Sequence, residues 1–455
     1  VIDRLPGNTA IGHVRYSTTG ETILRNVQPL FAELEGGGFA IGHNGNLTNG
    51  VKLRRDLVHE GAMMQSTTDT EVILHLVARS SRNRFVDRFI DGLRQLEGAY
   101  AFVGLTNKKL IGARDPLGIR PLVIGRLDGC PILASETCAL DMIGAQYVRD
   151  VENGEVVIFD EEGAQSHKPF PPMAPRPCIF EYIYFSRPDS VIGGRPVYQV
   201  RKTMGAQLAR EAPADADVIV PVPDSGVPAA LGFSQESGIP FDLGIIRNHY
   251  VGRTFIQPGD QVRHLGVKLK HNANSALIEG KKLVLIDDSI VRGTTSLKIV
   301  QMLRDAGARE VHMRIASPPT RHSCFYGVDT PRKAELIAAQ MSVEEVRKFI
   351  EADSLGYLSL AGMLEAIGLE AGSACVACWN GQAGGRNLSI VARLTNCSHG
   401  LLNLVGRYCR SCRASHPCCR GSTTDGCAAK VARISCSVCA IRTDLEIRAT
   451  LAARP

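Results

Sequence analysis

The chain has 455 residues, 44% of them apolar, and a formal net charge of only +6. This length and composition predict two compact domains. The small charge excess is spread along the sequence, which favours anion binding at a defined site over nucleic-acid binding. No apolar run is long enough to span a membrane, so a transmembrane protein is excluded. The abundant cysteines, expected to be unpaired, indicate a reducing compartment, the cytoplasm.

Three motifs rich in polar residues occupy the first third of the chain. They are Ile11–Thr18, Gly42–Leu47 and Ser66–Glu71. An arginine fork such as Arg15 suits a carboxylate, and an amide side chain beside a backbone N–H, as at Asn44-Gly45, suits an oxyanion. Structural alternatives are a solvated arginine, a type I′ turn at Asn44-Gly45, and a helix N-cap at Thr68 with Glu71 three residues later.

Together these motifs resemble the glutamine-binding elements of an N-terminal-nucleophile (Ntn) amidotransferase domain. The resemblance implies that Arg15 holds the α-carboxylate of glutamine, that Asp69 holds its α-amino group, and that Asn44 and Gly45 form the oxyanion hole. It also implies an N-terminal cysteine as nucleophile. The printed sequence begins with Val1 and has no cysteine before Cys130, which lies in a predicted hairpin turn.

We therefore expect no catalytic residue for glutamine hydrolysis within this sequence. The absence of an initiating methionine agrees with a fragment. On this expectation, the polypeptide uses ammonia at best and does not hydrolyse glutamine.

A proline-rich stretch divides the sequence after a strand-rich region that includes Arg114–Pro121. Its proline density cannot continue a helix or a central strand. We predict an amidotransferase domain over 1–165, a linker over 166–177, an α/β domain over 178–378 and a divergent tail over 379–455.

The stretch Lys282–Ser296 is an apolar strand followed by Asp287, Asp288 and a small, hydroxyl-rich turn. A helical pattern begins near Leu297, and a helix N-terminus attracts phosphate. Gly307 is predicted to end this helix before a further parallel strand. Paired acids at such a turn are often merely solvated, but here they are suited to ribose hydroxyls or Mg²⁺.

This stretch resembles the phosphoribosyl diphosphate (PRPP) loop of type I phosphoribosyltransferases. Three further motifs precede it in order, namely Glu181–Ser190, Pro221–Gly226 and Arg247–Pro258. Together they resemble the amidophosphoribosyltransferase family over about residues 10–378. The family forms 5-phosphoribosylamine, diphosphate and glutamate from PRPP, glutamine and water in de novo purine biosynthesis.

The resemblance implies an incomplete α+β, four-layer αββα Ntn domain followed by an α/β domain with a parallel sheet. It implies Mg²⁺ at Ser225, Asp287 and Asp288. The implied PRPP-binding residues are Asp287, Asp288, Arg292, Gly293, Thr294, Thr295, Ser296, Arg253 and Lys268, with a lid at Tyr250–Pro258. It further implies purine nucleotides as feedback inhibitors and a homo-oligomer. The alternative function is a non-catalytic regulator that binds PRPP or nucleotides.

Cysteine positions add a candidate cofactor. Cys178, Cys324, Cys375 and Cys378 match the positions at which some members of the family carry a [4Fe–4S] cluster. A zinc site and isolated buried thiols are the alternatives. A cluster here is expected to be structural or oxygen-sensing. Beyond Cys378 the resemblance ends, and the cysteine-rich tail reads as disordered, with a zinc module as the less favoured alternative.

Overall fold

The computed structural model describes residues 7–14, 23–248, 271–383 and 386–387. These residues belong to one compact unit. No helix among them is long and apolar enough to cross a membrane.

The strands are β1 (Leu30–Leu34), β2 (Gly37–Leu47), β3 (Gly98–Thr106), β4 (Leu110–Arg114), β5 (Val123–Leu127), β6 (Cys130–Ala134), β7 (Gln146–Asp150), β8 (Val156–Asp160), β9 (Gly163–His167), β10 (Val191–Ile192), β11 (Arg195–Pro196), β12 (Val218–Pro221), β13 (Ile245–Arg247), β14 (His271–Ala273), β15 (Lys282–Asp287), β16 (Glu310–Ile315), β17 (Ser354–Tyr357), β18 (Gln382–Ala383) and β19 (Arg386–Asn387). The α-helices are α1 (Gly50–His59), α2 (Glu71–Arg79), α3 (Phe85–Leu93), α4 (Thr137–Met142), α5 (Val197–Glu211), α6 (Val227–Ser237), α7 (Ser275–Ile278), α8 (Thr294–Asp305), α9 (Ile337–Gln340), α10 (Val343–Phe349), α11 (Leu360–Ile367) and α12 (Ala377–Asn380). A π-helical turn covers Glu181–Phe185.

Strands β1 to β9 form the amino-terminal half, built from two antiparallel sheets. The larger sheet has the order β1-β2-β3-β4-β8-β9, and the smaller has the order β6-β5-β7. Side chains of α2 and α3 pack on one face of the larger sheet. Its other face packs on the smaller sheet, and α4 covers the outer side of that sheet. The result is the predicted αββα order of layers.

The carboxyl-terminal half is built on a parallel sheet of order β12-β15-β16-β17. Helices α5, α6 and α11 pack on one face, whereas α8 and α10 pack on the other. Apolar residues therefore face both sides of β15, whose run Leu283–Ile286 is fully buried, as expected for a central parallel strand.

Most of the predicted local elements are present, with shifted boundaries. The strand expected at Leu283–Ile286 is β15, and Gly307, at φ 89°, follows the end of α8. The helix itself begins at Thr294, three residues before the predicted start. Ser342 and Glu345 form a capping box at the start of α10.

Two local alternatives are wrong. Asn44 and Gly45 lie inside β2, paired with Ala101 and Tyr100 of β3, so no type I′ turn forms there. The N-cap of α2 is Thr70 rather than Thr68. The carboxylate of Glu71 instead accepts hydrogen bonds from Gln65 and Ser66, within the preceding segment.

The hairpin turn predicted around Cys130 is present, but Cys130 itself is the first residue of β6. Asp128 and Gly129, at φ 50° and 85°, join β5 to β6. The predicted linker 166–177 overlaps the last residues of β9, which ends at His167.

Candidate active site

Two neighbouring parallel strands end at one edge of the second sheet, and each is followed by polar residues. Pro221 of β12 is paired with Ile286 of β15, so the loops that follow them meet. The Ser225 hydroxyl donates to Asp287 Oδ1 over 3.3 Å. The structure therefore brings together all three residues predicted to hold Mg²⁺: Ser225, Asp287 and Asp288.

Both aspartates are buried, at 8% and 7% exposure. The pKa of Asp287 is raised well above its ordinary value by burial and by the neighbouring Asp288. Burial also raises the pKa of Asp288, against lowering by hydrogen bonds from Ser289 and Ser225. Two buried like charges are costly, so this edge favours a proton or a cation bound between the acids.

The loop after the acids leads into the N-terminus of α8. Gly293 adopts a left-handed conformation, at φ 75°, directly before Thr294. A β-carbon on Gly293 would also lie 2.7 Å from Ile337 Cδ1. Thr294 and Thr295 are exposed and Ser296 is buried. Since the first N–H groups of a helix lack partners within it, this end of α8 is suited to a phosphate.

The remaining predicted PRPP residues are Arg292, Arg253 and Lys268. The Arg292 guanidinium donates to Glu335 over 2.8 and 3.1 Å, in an exposed ion pair. Arg253 and Lys268, with the predicted lid at Tyr250–Pro258, lie outside the described residues, as does Arg15 of the glutamine motifs.

The predicted oxyanion residues lie within β2, near its C-terminal end. Gly45 has φ 147°, and a β-carbon there would lie 2.1 Å from the Ala99 carbonyl oxygen, so the position requires glycine. The Asn44 Oδ1 atom accepts two hydrogen bonds from Arg120, over 2.8 and 3.2 Å. The amide of Asn44 thus has a fixed orientation beside a backbone that approaches β3 closely.

Asp69 reaches the same strand from the segment before α2. Its Oδ2 atom accepts from the Leu47 N–H over 2.7 Å and lies 3.8 Å from His43 Nδ1. Burial lowers the pKa of His43, although the nearby Asp69 raises it, so this histidine favours its neutral form. The structure therefore brings Asp69 to the residues that flank Asn44-Gly45 on β2.

Sequence reasoning missed three groups that adjoin these residues. They are Arg120, Glu181 and Arg201. Arg120 is the penultimate residue of the Arg114–Pro121 motif, and Glu181 begins the Glu181–Ser190 motif. The sequence therefore marked both segments but did not indicate that the two residues contact each other. Arg201 donates to the Tyr182 and Ser186 carbonyl oxygens, each over 2.7 Å, and its positive charge acts on Asp288.

The four predicted cluster cysteines come from three segments that meet. The Cys375 N–H donates to the Pro177 carbonyl oxygen over 2.9 Å, next to Cys178. Hydrogen bonding between the Cys324 and Cys378 thiols, with donation from Tyr326 N–H, lowers the pKa of Cys324 to about 6. Burial raises the pKa of Cys375 to about 11, with Cys324 contributing. The thiols therefore interact with one another.

These contacts do not amount to a formed metal site. Among the described residues, no group of three or more His, Cys, Asp or Glu side chains has an arrangement that could hold a metal ion. None of the four cysteines forms a disulfide, and neither does the exposed Cys130 at the β5–β6 turn. The iron–sulfur cluster stays a prediction.

One half of the chain has antiparallel sheets in an αββα order, and the other has a parallel sheet whose edge carries two acids and is suited to phosphate. Together the halves define the class of protein, a glutamine amidotransferase fused to a phosphoribosyltransferase. Family models described as glutamine amidotransferase domain and phosphoribosyl transferase domain match residues 13–142 and 194–323. The amidophosphoribosyltransferase of Rhizobium etli is 63% identical over 81% of this chain and 75% of its own length.

Solved structures agree with this relationship. The PRPP amidotransferase of Bacillus subtilis, in complex with ADP and GMP, matches at TM-score 0.77 and 47% identity over 82% of each chain. A structure described as the allosteric regulatory enzyme of purine biosynthesis matches at TM-score 0.78 and 47% identity over the same shares. The chain belongs to the amidophosphoribosyltransferase family, the glutamine-dependent PRPP amidotransferases of purine biosynthesis.

Proposed function

We propose that this chain transfers nitrogen to PRPP, giving 5-phosphoribosylamine and diphosphate, with ammonia supplied directly or from glutamine. The C1–O bond to diphosphate breaks, the C1–N bond forms, and the proton released from nitrogen passes to solvent. One observation carries the proposal. The buried pair Asp287-Asp288 lies at the carboxyl edge of a parallel sheet, directly before the N-terminus of α8, where open α/β sheets bind ligands.

Within that site, the 5-phosphate of PRPP lies against the N–H groups and hydroxyls of Thr294, Thr295 and Ser296, with Gly293 leaving room for its approach. Arg253, Lys268 and Arg292 are assigned to the diphosphate. For Arg292 this requires release from Glu335. Positioning and electrostatics then do most of the work, because the reaction needs no covalent help from the protein.

The donor set suits Mg²⁺. Two buried carboxylates and a hydroxyl, from Asp287, Asp288 and Ser225, are hard oxygen ligands, and the raised pKa values of both acids mean that their ionised forms are unfavourable without a bound cation. When bound, the ion neutralises charge that builds on the departing diphosphate. The protein's own part is to hold the two acids at the strand end.

For glutamine, we assign Asn44 and Gly45 to the oxyanion, Asp69 to the α-amino group and Arg15 to the α-carboxylate. The close approach of β2 to β3 at Gly45 supports the first assignment. The hydrogen bond from Leu47 to Asp69 supports the second, because it leaves one carboxylate oxygen for an ammonium group.

We assign Cys178, Cys324, Cys375 and Cys378 to one structural [4Fe–4S] cluster. The four sulfur atoms form a soft donor set that favours an iron–sulfur cluster. The pKa is raised for three of the thiols and lowered for the fourth, Cys324. Purine nucleotides as inhibitors, a homo-oligomeric assembly and a cytoplasmic location complete the proposal. The relative from B. subtilis was solved with ADP and GMP.

The test is to incubate the protein with PRPP, varying ammonium, glutamine and Mg²⁺, and to measure diphosphate release and phosphoribosylamine. We expect diphosphate release that requires both Mg²⁺ and a nitrogen donor. Tight PRPP binding without turnover under any of these conditions would contradict the enzyme and favour the regulator.

A further inference from the structure

A buried arginine contacts the amide proposed to form the oxyanion hole. The Asn44 Oδ1 atom accepts from Arg120 Nη2 over 2.8 Å and from Arg120 Nε over 3.2 Å. Arg120 is 1% exposed, whereas Asn44 is partly exposed. The guanidinium therefore approaches Asn44 from the protein interior.

These two bonds fix which way the amide faces. A guanidinium can only donate, so a flipped Asn44 would place its own N–H₂ donors against those of Arg120. The Oδ1 atom must therefore face Arg120, and the Nδ2 atom faces the other way. A donor aimed away from the interior is what a negative oxygen on a substrate requires.

The other half of the molecule holds Arg120 in place. Its Nη1 atom lies 2.9 Å from Glu181 Oε1, and its guanidinium lies 4.4 Å from the centre of the Phe185 ring. Both residues belong to the π-helical turn that follows Cys178. Ser186 donates to the second oxygen of Glu181 over 2.7 Å. Burial alone would lower the pKa of Arg120, but Glu181 and the nearby cysteines raise it.

We propose that Arg120 is a positioning residue of the glutamine site, and that Glu181 positions Arg120 from the transferase half. The pair holds the Asn44 Nδ2 donor toward the γ-group of the bound amino acid. This inference rests on the proposed assignment of Asn44 to the oxyanion hole. The orientation of the Asn44 Nδ2 donor, in the amino-terminal half, then depends on the Glu181 carboxylate of the transferase half.

Amide orientation has a measurable consequence for ligand choice. With Nδ2 facing the ligand, the site favours a negatively charged γ-oxygen, as in L-glutamate. With Asn44 free to flip, Oδ1 faces the ligand, repels a carboxylate and accepts from the neutral amide of L-glutamine. Loss of Arg120 therefore lowers affinity for glutamate more than affinity for glutamine, which general damage to the fold does not do.

The experiment measures L-glutamate and L-glutamine binding by titration calorimetry for the full chain. We expect Arg120→Met to reduce the glutamate-to-glutamine affinity ratio roughly tenfold, as for loss of a hydrogen bond to a charged group. Arg120→Lys should retain part of the ratio, because one ammonium cannot replace the guanidinium fork. The matched control is Arg126→Met, at an exposed arginine of β5.

Two further variants separate positioning from folding. Glu181→Gln should lower the same ratio although Glu181 lies in the other half. The double variant Arg120→Met/Glu181→Met leaves no unpaired buried charge, and it should fold and still show the lowered ratio. Ammonium-dependent transfer should be unchanged in every variant that folds.

The outcomes separate the inference from its premise. If Asn44→Ala lowers the ratio but the folded double variant does not, Arg120 has no positioning role. If Asn44→Ala also leaves the ratio unchanged, or the protein binds neither amino acid, the oxyanion assignment fails and the inference fails with it.

Discussion

The two candidate sites are assembled in different ways. The transferase site is almost contiguous, because β15 supplies Asp287 and the next nine residues supply the loop and the start of α8, with Ser225 added from the loop after β12. The glutamine site takes Asn44 from within β2, Asp69 from before α2 and Arg120 from a loop. The other half contributes Glu181, which contacts Arg120, and the Phe325 carbonyl oxygen, which accepts a hydrogen bond from Asn46 Nδ2 over 2.8 Å.

This difference predicts different responses to substitution. Damage to the contiguous site should stay local to phosphoribosyl transfer. The glutamine site should be sensitive to residues far away in sequence, including those beside the cysteine cluster, because its supports cross between the halves.

The largest effect is expected at the contiguous site. Asp287→Asn or Asp288→Asn removes a carboxylate from the proposed Mg²⁺ site while preserving side-chain size. We expect turnover of PRPP to fall roughly a hundredfold or more, with no loss of thermal stability, since one buried charge is removed. Steady-state diphosphate release and thermal melts are the measurements.

A matched control for these variants is Asp305→Asn, at the exposed far end of α8, which should keep full activity. Glutamate binding should be unaffected in all three. If both site variants retain normal turnover, the acids are ordinary turn residues and the site is elsewhere.

How far the sequence predicts each site follows from the same difference. A buried strand, paired acids and a helix start are neighbours in sequence, so local patterns located Asp287, Asp288 and α8 to within three residues. The contacts of Arg120 with Asn44 and Glu181 span 76 residues in one direction and 61 in the other. No local pattern specifies such pairs, because only the packing of the two halves brings them together.

Local patterns also failed where tertiary pairing prevails. Asn44-Gly45 has the composition of a tight turn, yet the ladder with β3 holds it extended. Thr68 and Glu71 have the spacing of a capping box, but the Glu71 carboxylate instead accepts hydrogen bonds from the backbone N–H groups of Gln65 and Ser66.

The cysteine cluster offers the next largest effect. We expect anaerobically purified protein to be brown and to contain about four iron atoms per chain, as for a Cys₄-ligated [4Fe–4S] centre. Cys324→Ser should lose both iron and colour, whereas Cys130→Ser, at an exposed thiol, should lose neither. Iron and zinc analysis of both variants decides the matter, and stoichiometric zinc without iron would move the site to the zinc alternative.

A backbone contact between the halves gives a smaller, more selective effect. Gly327 has φ 102°, and a β-carbon there would lie 2.7 Å from the carbonyl carbon of Gly45. Gly327→Ala should therefore destabilise the protein by about 2 kcal/mol and weaken glutamate binding, while PRPP turnover with ammonium survives. Gly372→Ala is the control: its φ is also positive, at 85°, but its β-carbon meets nothing within 4 Å.

Denaturant melts of the two glycine variants separate strain from contact. Equal losses of stability and of glutamate affinity in both variants would mean that the close approach of Gly327 to Gly45 does not support the glutamine site. The backbone contact would then no longer be evidence that the glutamine site depends on the other half.

The smallest effect concerns Mg²⁺ and pH at the contiguous site. Burial and mutual repulsion raise the pKa values of Asp287 and Asp288 in the folded state. Below the ordinary pKa of an aspartate both carboxyls are neutral in the folded and the unfolded state, so the buried pair costs little. As pH rises from there through the raised values, the free energy of unfolding falls, because the unfolded chain ionises more readily than the buried pair. A divalent cation binds the ionised pair and should restore this loss.

We therefore expect Mg²⁺ to raise the Tm more at pH 8 than at pH 5. At a concentration ten times its Kd the stabilisation is about 1.4 kcal/mol, a shift of roughly 1–3 °C for a chain of this size. Asp287→Asn should weaken the pH-dependent part, because it removes one of the two ionising carboxylates, while burial still raises the pKa of Asp288. Arg120→Met/Glu181→Met should keep it, since that pair belongs to the glutamine site. An equal Mg²⁺ shift at both pH values, or one that is undiminished in Asp287→Asn, would show that the ion binds elsewhere.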